Sequence, residues 1–171
     1  MTRNSKPEVE RRSGCPVSIS LERFGDRWSL LLIRDMMVRG YTTFKQFQDS
    51  GEGIASNILA DRLERLQEAK IIQTEPDNSD RRRVIYRLTE KGIDLAPVIL
   101  ELLVWAARWE ETGAPCELMA HMGANREAVL REVRKRWSEK DSTPFLPPFA
   151  TSETAVGKAG SRGKKQTKKG A

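Results

Sequence analysis

At 171 residues, 38% of them apolar and only Cys15 and Cys116 cysteine, the chain is sized for one domain or slightly more. It is neither wholly disordered nor stapled by disulfides. No run approaches the roughly 18 apolar residues that cross a membrane, and no apolar stretch follows the basic start. We therefore expect no membrane span, no secretion or twin-arginine signal, and a cytoplasmic chain with reduced thiols. The net charge of +6 divides as +2 on residues 1–14, zero on 15–140 and +4 on 141–171. The basic character thus belongs to the two ends and says little about nucleic-acid binding by the part between them.

Residues 1–14 read as a flexible basic arm. A short helix is expected over 18–24, stopped by Gly25 in a left-handed conformation. Asp26 then caps a helix over 27–38 that is apolar around most of its circumference, the mark of a buried central helix. Thr43 and Gln46 have the spacing of a capping box, and Phe44 and Phe47 face the core from the short helix behind it. The next helix, 56–69, places Ala55, Leu59, Leu63 and Leu66 on one stripe and Asn57, Asp61, Glu64 and Glu68 opposite. The period then changes to two β-favouring runs, 71–75 and 84–88, around the turn formers Pro76, Asp77, Asn78, Ser79 and Asp80. Arg81, Arg82 and Arg83 sit in that turn. Thr89 caps a further helix with Leu95, Val98, Ile99, Leu102, Ala106 and Trp109 on one stripe, which kinks or restarts at Pro97. Residues 112–123 carry no clear signal, and 125–137 form another helix. The segment 111–140 is thus an additional helical piece. The tail 141–171, small, polar and Pro/Gly-punctuated, buries too little apolar area to order itself. It reads as a solubilising tail or as a sequence-independent phosphate-binding arm.

Three helices followed by a hairpin with basic residues at its tip are the order of a winged helix. The expected fold is therefore mainly α with a small β-hairpin wing, residues 15–110 forming a winged helix-turn-helix domain with C-terminal dimerisation helices. Such a domain puts a recognition helix into the major groove, about 12 Å wide, and its wing at the adjacent backbone or minor groove. The same order also serves protein-binding adaptors. One histidine, no Gly-rich phosphate loop and no nucleophile motif leave no candidate for catalysis, and no cofactor or metal site is expected.

The stretches CPVSISLERFGDRWSLLLIRDMM, TTFKQFQ, GIASNILADRLERLQEAKII and DRRRVIYRLTEKG resemble the HxlR family of winged-helix bacterial regulators. The spacing from Asp80 through Arg82 and Tyr86 to Thr89 is similar to the wing signature of the related MarR regulators. The resemblance implies a homodimeric transcription regulator that binds double-stranded DNA at a palindromic operator, with helix 56–69 in the major groove and wing 76–83 beside it. It places Ser56, Asn57 and Asp61 on the DNA face, where Asn suits adenine and Asp a cytosine amino group. Thr43 and Lys45 are placed at the phosphates. Arg62 either meets phosphate or pairs internally with Asp35 or Glu22. Arg81, Arg82 and Arg83 form the wing tip, with Asp80 as the residue that aims Arg82.

Two positions depart from the family pattern. Ala55 stands where a capping Ser is usual, so Ser56 or water is expected to cap the recognition helix. Lys70 replaces a Gly and is expected either to take a left-handed conformation, at about 1 kcal/mol, or to reshape that turn. Cys15 matches a thiol that senses oxidants in some relatives, and also reads as a small packed side chain at a helix start. A small-molecule or oxidant effector follows from the first reading. The stripe Leu95, Val98, Ile99, Leu102, Trp105, Ala106 and Trp109 exceeds what one winged helix needs for its own core and is expected to pair with its twin.

Overall fold

A computed structural model describes residues 13–77, 80 and 82–146. Helix α1 (Pro16–Phe24) begins two residues before the expected start, because Pro16 occupies the first turn, where its missing N–H costs nothing. Gly25 does not take the expected left-handed conformation; its φ is −75°. Glycine is needed there for space instead, since a Cβ would lie 2.5 Å from the Leu21 carbonyl oxygen. Helix α2 (Arg27–Val38) has the predicted bounds, and the Asp26 carboxylate accepts from the N–H groups of Trp28 and Ser29. Helix α3 (Phe44–Gln48) opens with the predicted capping box of Thr43 and Gln46.

Helix α4 (Ser56–Glu68) starts with Ala55 at the cap and no side-chain cap bond. Ser56 is therefore the first helical residue and not the cap, so of the two expected alternatives, Ser56 or water, the first fails, because an extended Ala55 already begins the helix. Leu59, Leu63 and Leu66 bury the predicted stripe, while Ala55 lies outside the helix and is exposed. Lys70 takes the predicted left-handed conformation, with φ of 56°. Strands β1 (Ile72–Pro76) and β2 (Val84–Leu88) pair antiparallel, Ile72 opposite Leu88 and Glu75 opposite Ile85. The outer edge of β2 is tied to the start of α3, the Tyr86 N–H donating to the Thr42 carbonyl at 2.7 Å.

The chain restarts at Pro97, as one of the two expected outcomes. Helix α5 (Glu90–Ile93), capped by Thr89, is followed by α6 (Ala96–Trp109) with proline in its first turn. Helix α7 (Cys116–Ala124) fills the stretch that carried no sequence signal, and α8 (Arg126–Ser138) follows one residue later than predicted. A strap, residues 139–146, runs back onto the end of α2, where the Phe145 N–H donates to the Val38 carbonyl at 2.7 Å and Leu146 is buried.

The core is built from the inner faces of α2 and α4 around Phe47. Ile33, Phe47, Leu59, Leu63, Leu66 and Ile71 are fully buried. Tyr86 meets Phe47 edge-on at 6.1 Å between ring centres. Burial of each large apolar side chain contributes roughly 1.5–3 kcal/mol before chain entropy is subtracted. No described helix is long and apolar enough to cross a membrane.

Gly40 marks the contact between α2 and the strap. Its φ is +68°, and a Cβ there would sit 2.1 Å from the Ser142 carbonyl oxygen, whereas Gly51, φ +87°, has open space beside it. Gly51→Ala should therefore cost only the left-handed penalty of about 1 kcal/mol. Gly40→Ala should cost distinctly more, because a backbone oxygen must also move. Urea unfolding of the two variants checks the order; equal midpoints would contradict the close approach of the strap.

Candidate nucleic-acid interface

Two surfaces carry the residues singled out in the sequence. The first is the exposed start of α4. Ser56 and Asn57 are exposed there, and Asn57 lies one turn from Asp61 on the side opposite the buried leucines. The second is a concavity of about 860 Å³ between α3 and the hairpin, lined by Thr43, Lys45, Arg82 and Arg83 among others. Lys45 and the two wing arginines thus converge on one hollow, while Ser56, Asn57, Asp61 and Arg62 lie outside its lining.

The wing arginines point to solvent, with side chains 92% exposed at Arg82 and 68% at Arg83. Asp80 organises both of them. Its carboxylate accepts from the Arg82 N–H at 3.0 Å and lies 3.5 Å from the Arg82 Nε. Its other oxygen is 3.5 Å from the Arg83 Nε. The backbone bond is the shorter one, so Asp80 acts first on the turn and second on the guanidinium groups. The expectation that Asp80 serves Arg82 alone is corrected by the Arg83 contact. Arg81 lies outside the described residues.

Three other expected contacts have partners within the chain. The Thr43 hydroxyl accepts from the Gln46 N–H and donates to its side-chain carbonyl, so its donor is spent on the helix cap. Asp61 is engaged by Arg62 and by Arg65, the latter at 3.0 Å. Arg62 pairs with neither Asp35 nor Glu22; its Nε donates to Asp26 at 2.9 Å and its Nη1 to Asp61. The reason is position. Asp26 stands at the N-cap of α2, within reach of α4, whereas Asp35 is about two and a half turns further on and is held by Arg34 at 2.7 Å and Arg39 at 3.4 Å.

Asp26 is the positioning residue that sequence reasoning read only as a cap. It receives two N–H groups and the Ser29 hydroxyl from α2, and a guanidinium from α4, 36 residues away. Burial raises its carboxyl, but the Ser29 bonds and Arg62 together bring it below the ordinary aspartate value. A second cluster was also missed. Arg39 donates to the Ser50 carbonyl at 2.9 Å and Arg34 pairs with Glu52 at 3.0 Å, so the turn entering α4 is tied to α2 through the buried Asp35. Burial pushes the Asp35 carboxyl up, against the pull of those two arginines.

Cys15 is exposed at the N-cap of α1. The N–H groups of Ser18 and Val17 at the helix start hold its thiol below the ordinary cysteine value. Arg11 and Arg12, expected to assist, lie outside the described residues.

On α6, the stripe expected at a dimer interface divides. Ile99 is 4% exposed and already part of the chain's own core, packed with the partly buried Leu95. Ile99 is therefore removed from the expected interface. Val98, Leu102, Trp105 and Trp109 are exposed, as are Val17 and Leu21 on α1. Beside Leu102 runs an apolar groove of about 220 Å³, which includes Leu30, Leu31, Leu103 and Ala106.

A family model described as HxlR-like helix-turn-helix matches residues 23–114. An uncharacterised HTH-type transcriptional regulator of Mycobacterium tuberculosis, Rv3095, is 35% identical over 113 residues, covering 65% of this chain and 70% of its own. The HTH-type transcriptional regulator YodB of Bacillus subtilis is 33% identical over 100 residues, 58% of this chain and 88% of its own. Among solved structures, that of PA1607, described as a candidate transcription factor, is 37% identical, covers 63% of this chain and 72% of its own, and superposes with a TM-score of 0.56. The redox regulator HypR in its oxidised form is 28% identical, covers 57% and 99%, and gives 0.51.

The Asp26 junction has a measurable signature. Asp26→Ala should lower stability at neutral pH by about 1–2 kcal/mol, the usual cost of a lost helix cap. A carboxyl held low in the native state contributes above the ordinary aspartate range, and that contribution is lost as pH falls through the depressed native value. The urea curves of wild type and Asp26→Ala should therefore converge in acid; a gap that widens there would contradict the assignment.

Proposed function

The chain belongs to the HxlR-like helix-turn-helix family of transcription regulators, and on that premise we propose that it binds double-stranded DNA sequence-specifically as a homodimer. The observation that carries the reading is the exposed start of α4 together with a hairpin whose Arg82 and Arg83 side chains are solvent-exposed and share the Asp80 carboxylate. Ser56 and Asn57 are the base-reading candidates, an amide at Asn57 being suited to the N6 and N7 edge of adenine. Lys45 serves phosphate, and Arg82 and Arg83 serve the flanking backbone or minor groove. Arg62 and Thr43 act one step back, as the tie and the cap that hold α4 and α3 in place. Asp61 reaches a base only by exchanging one of its arginine partners.

The folded part of the chain carries no net charge over residues 15–140. Attraction to the phosphates therefore rests on the wing and on the basic ends, 1–14 and 147–171, which we propose act as arms; residues 141–146, expected as the start of the tail, belong instead to the strap on α2. Arg82→Ala should weaken binding to a duplex selected by the protein by about 1–3 kcal/mol. Asp80→Ala should also weaken it, although it removes a negative charge, because the turn and both guanidinium groups lose their common anchor. Fluorescence anisotropy measures both, and tighter binding by Asp80→Ala would show that the wing acts only as a diffuse positive patch.

The homodimer reading rests on two exposed indoles, Trp105 and Trp109, beside Val98 and Leu102, continuous with the groove of Leu30 and Leu31. Aromatic side chains bury roughly 150–250 Å² each, a large share of the ~800 Å² per partner of an ordinary interface. Leu102→Asp at micromolar concentration should sediment as a monomer; an unchanged dimer would contradict this surface.

Likeness to the redox regulator HypR and the lowered Cys15 thiol support an oxidant-responsive switch. Two Cys15 thiols, one from each protomer, would each give a hydrogen to diamide and join as a disulfide, the diamide leaving as its hydrazine. Diamide should release wild type from the selected duplex and leave Cys15→Ser bound. Equal behaviour of the two proteins would make Cys15 a packing residue.

A further inference from the structure

The hairpin is held from outside the region that matches the family. Residues 115–146 form α7, α8 and the strap, and lie beyond the matched 23–114. Helix α8 is first fixed to the body. Arg126 pairs with Glu101 of α6, and Arg134 pairs with Asp94 just after α5. From that base it reaches the hairpin twice. The indole N–H of Trp137 donates to the Leu88 carbonyl at 2.8 Å, at the rung where Leu88 faces Ile72. The Lys140 ammonium donates to both oxygens of Glu75, at 3.1 and 3.0 Å, at the rung where Glu75 faces Ile85.

Those two rungs are three residues apart, roughly 10 Å along the strand. The Tyr86–Thr42 bond already ties β2 to the start of α3, and two further fixings at that separation oppose a swing about it. Glu75 adjoins Pro76, the last residue of β1, so the second hold lies where the strand gives way to the turn that carries Arg82 and Arg83. Lys140 takes a left-handed conformation, φ 55°, rare for a residue with a side chain. The strap keeps that strain in place, with Ser142 against Gly40 and Phe145 on Val38. Arg87 also meets Glu75, at 3.2 Å, so one carboxylate joins β1, β2 and the strap.

We propose that Trp137 and Lys140 are positioning residues for the wing, and that the C-terminal α8–strap unit sets the angle at which Arg82 and Arg83 meet DNA. This rests on the DNA-binding reading for its consequence, but not for the mechanical hold itself.

The test uses the full chain and three variants. Trp137→Phe keeps the ring and removes the N–H. Lys140→Glu reverses one hold, and Lys140→Arg keeps a cation there for Glu75 without touching the Arg87 pair. Two quantities are read: hydrogen exchange of the amides in 84–88, and the ratio of affinities for a duplex selected by wild type from a random library and a scrambled duplex. The ratio removes the general loss that any added negative charge causes. Trp137→Phe and Lys140→Glu should each speed exchange in the hairpin and lower the ratio about three- to tenfold, the range of one lost hydrogen bond. Lys140→Arg should stay close to wild type in both. Unchanged exchange in Trp137→Phe and Lys140→Glu, or a Lys140→Arg as impaired as Lys140→Glu, overturns the proposal. Should wild type select no duplex, sequence-specific binding fails and hairpin exchange alone decides this inference. Thermal midpoints close to wild type for Trp137→Phe separate a swung wing from a lost fold.

Discussion

One carboxylate fixes the angle on which the rest of the molecule depends. Asp26 satisfies two orphan N–H groups at the start of α2 through Oδ1, and the same oxygen accepts from the Arg62 guanidinium of α4. A cap alone would stabilise α2 and leave α4 to be placed by leucine packing, which tolerates sliding. A guanidinium held on one side by Asp26 and on the other by Asp61 removes that freedom, because its donors are set in a rigid plane. The same logic repeats at the turn before α4, where Arg34 and Arg39 bind the segment around Ser50 and Glu52 to α2. Helix α2 is thus the reference against which α4 is aligned, at the turn that enters it and at its middle.

This arrangement changes which charges are available for a partner. Arg62 and Asp61 are engaged with each other and with their neighbours, so the exposed helix presents neutral polar groups, Ser56 and Asn57, at its start. On the hairpin, two exposed cations, Arg82 and Arg83, share the single carboxylate of Asp80. A surface of that kind separates two tasks. Neutral hydrogen-bonding groups discriminate between base edges, and mobile cations add affinity that falls with salt. The hairpin must then be held firmly, since cations on a swinging arm attract every sequence alike.

Features set by neighbouring residues were legible in the sequence, and features set by distant ones were not. The bounds of α2, the capping box at Thr43, the Thr89 cap and the left-handed Lys70 all follow from local chemistry within a few residues. The hairpin was likewise readable, because β-favouring runs flank a block of turn formers. Gly25 was misread because two different reasons, a left-handed turn and a close approach, both demand glycine, and only the second operates. Ser56 was misread because an extended Ala55 starts a helix without any side-chain bond. The Asp26–Arg62 pair spans 36 residues and the Lys140–Glu75 pair 65, and no periodicity reports such distances. Helix α7 lacks a strong amphipathic pattern and is held by α6 and α8.

The central claim is that a symmetric pair of these chains reads base sequence through α4. Selection of bound duplexes from a random library, followed by sequencing, tests it most directly. The account predicts enrichment of an inverted repeat whose half-sites lie about one helical turn apart, the spacing a two-fold symmetric pair of recognition helices imposes. Recovery of unrelated sequences, with affinity that vanishes as salt rises, would contradict it and leave a winged-helix scaffold that meets nucleic acid only through its charged ends.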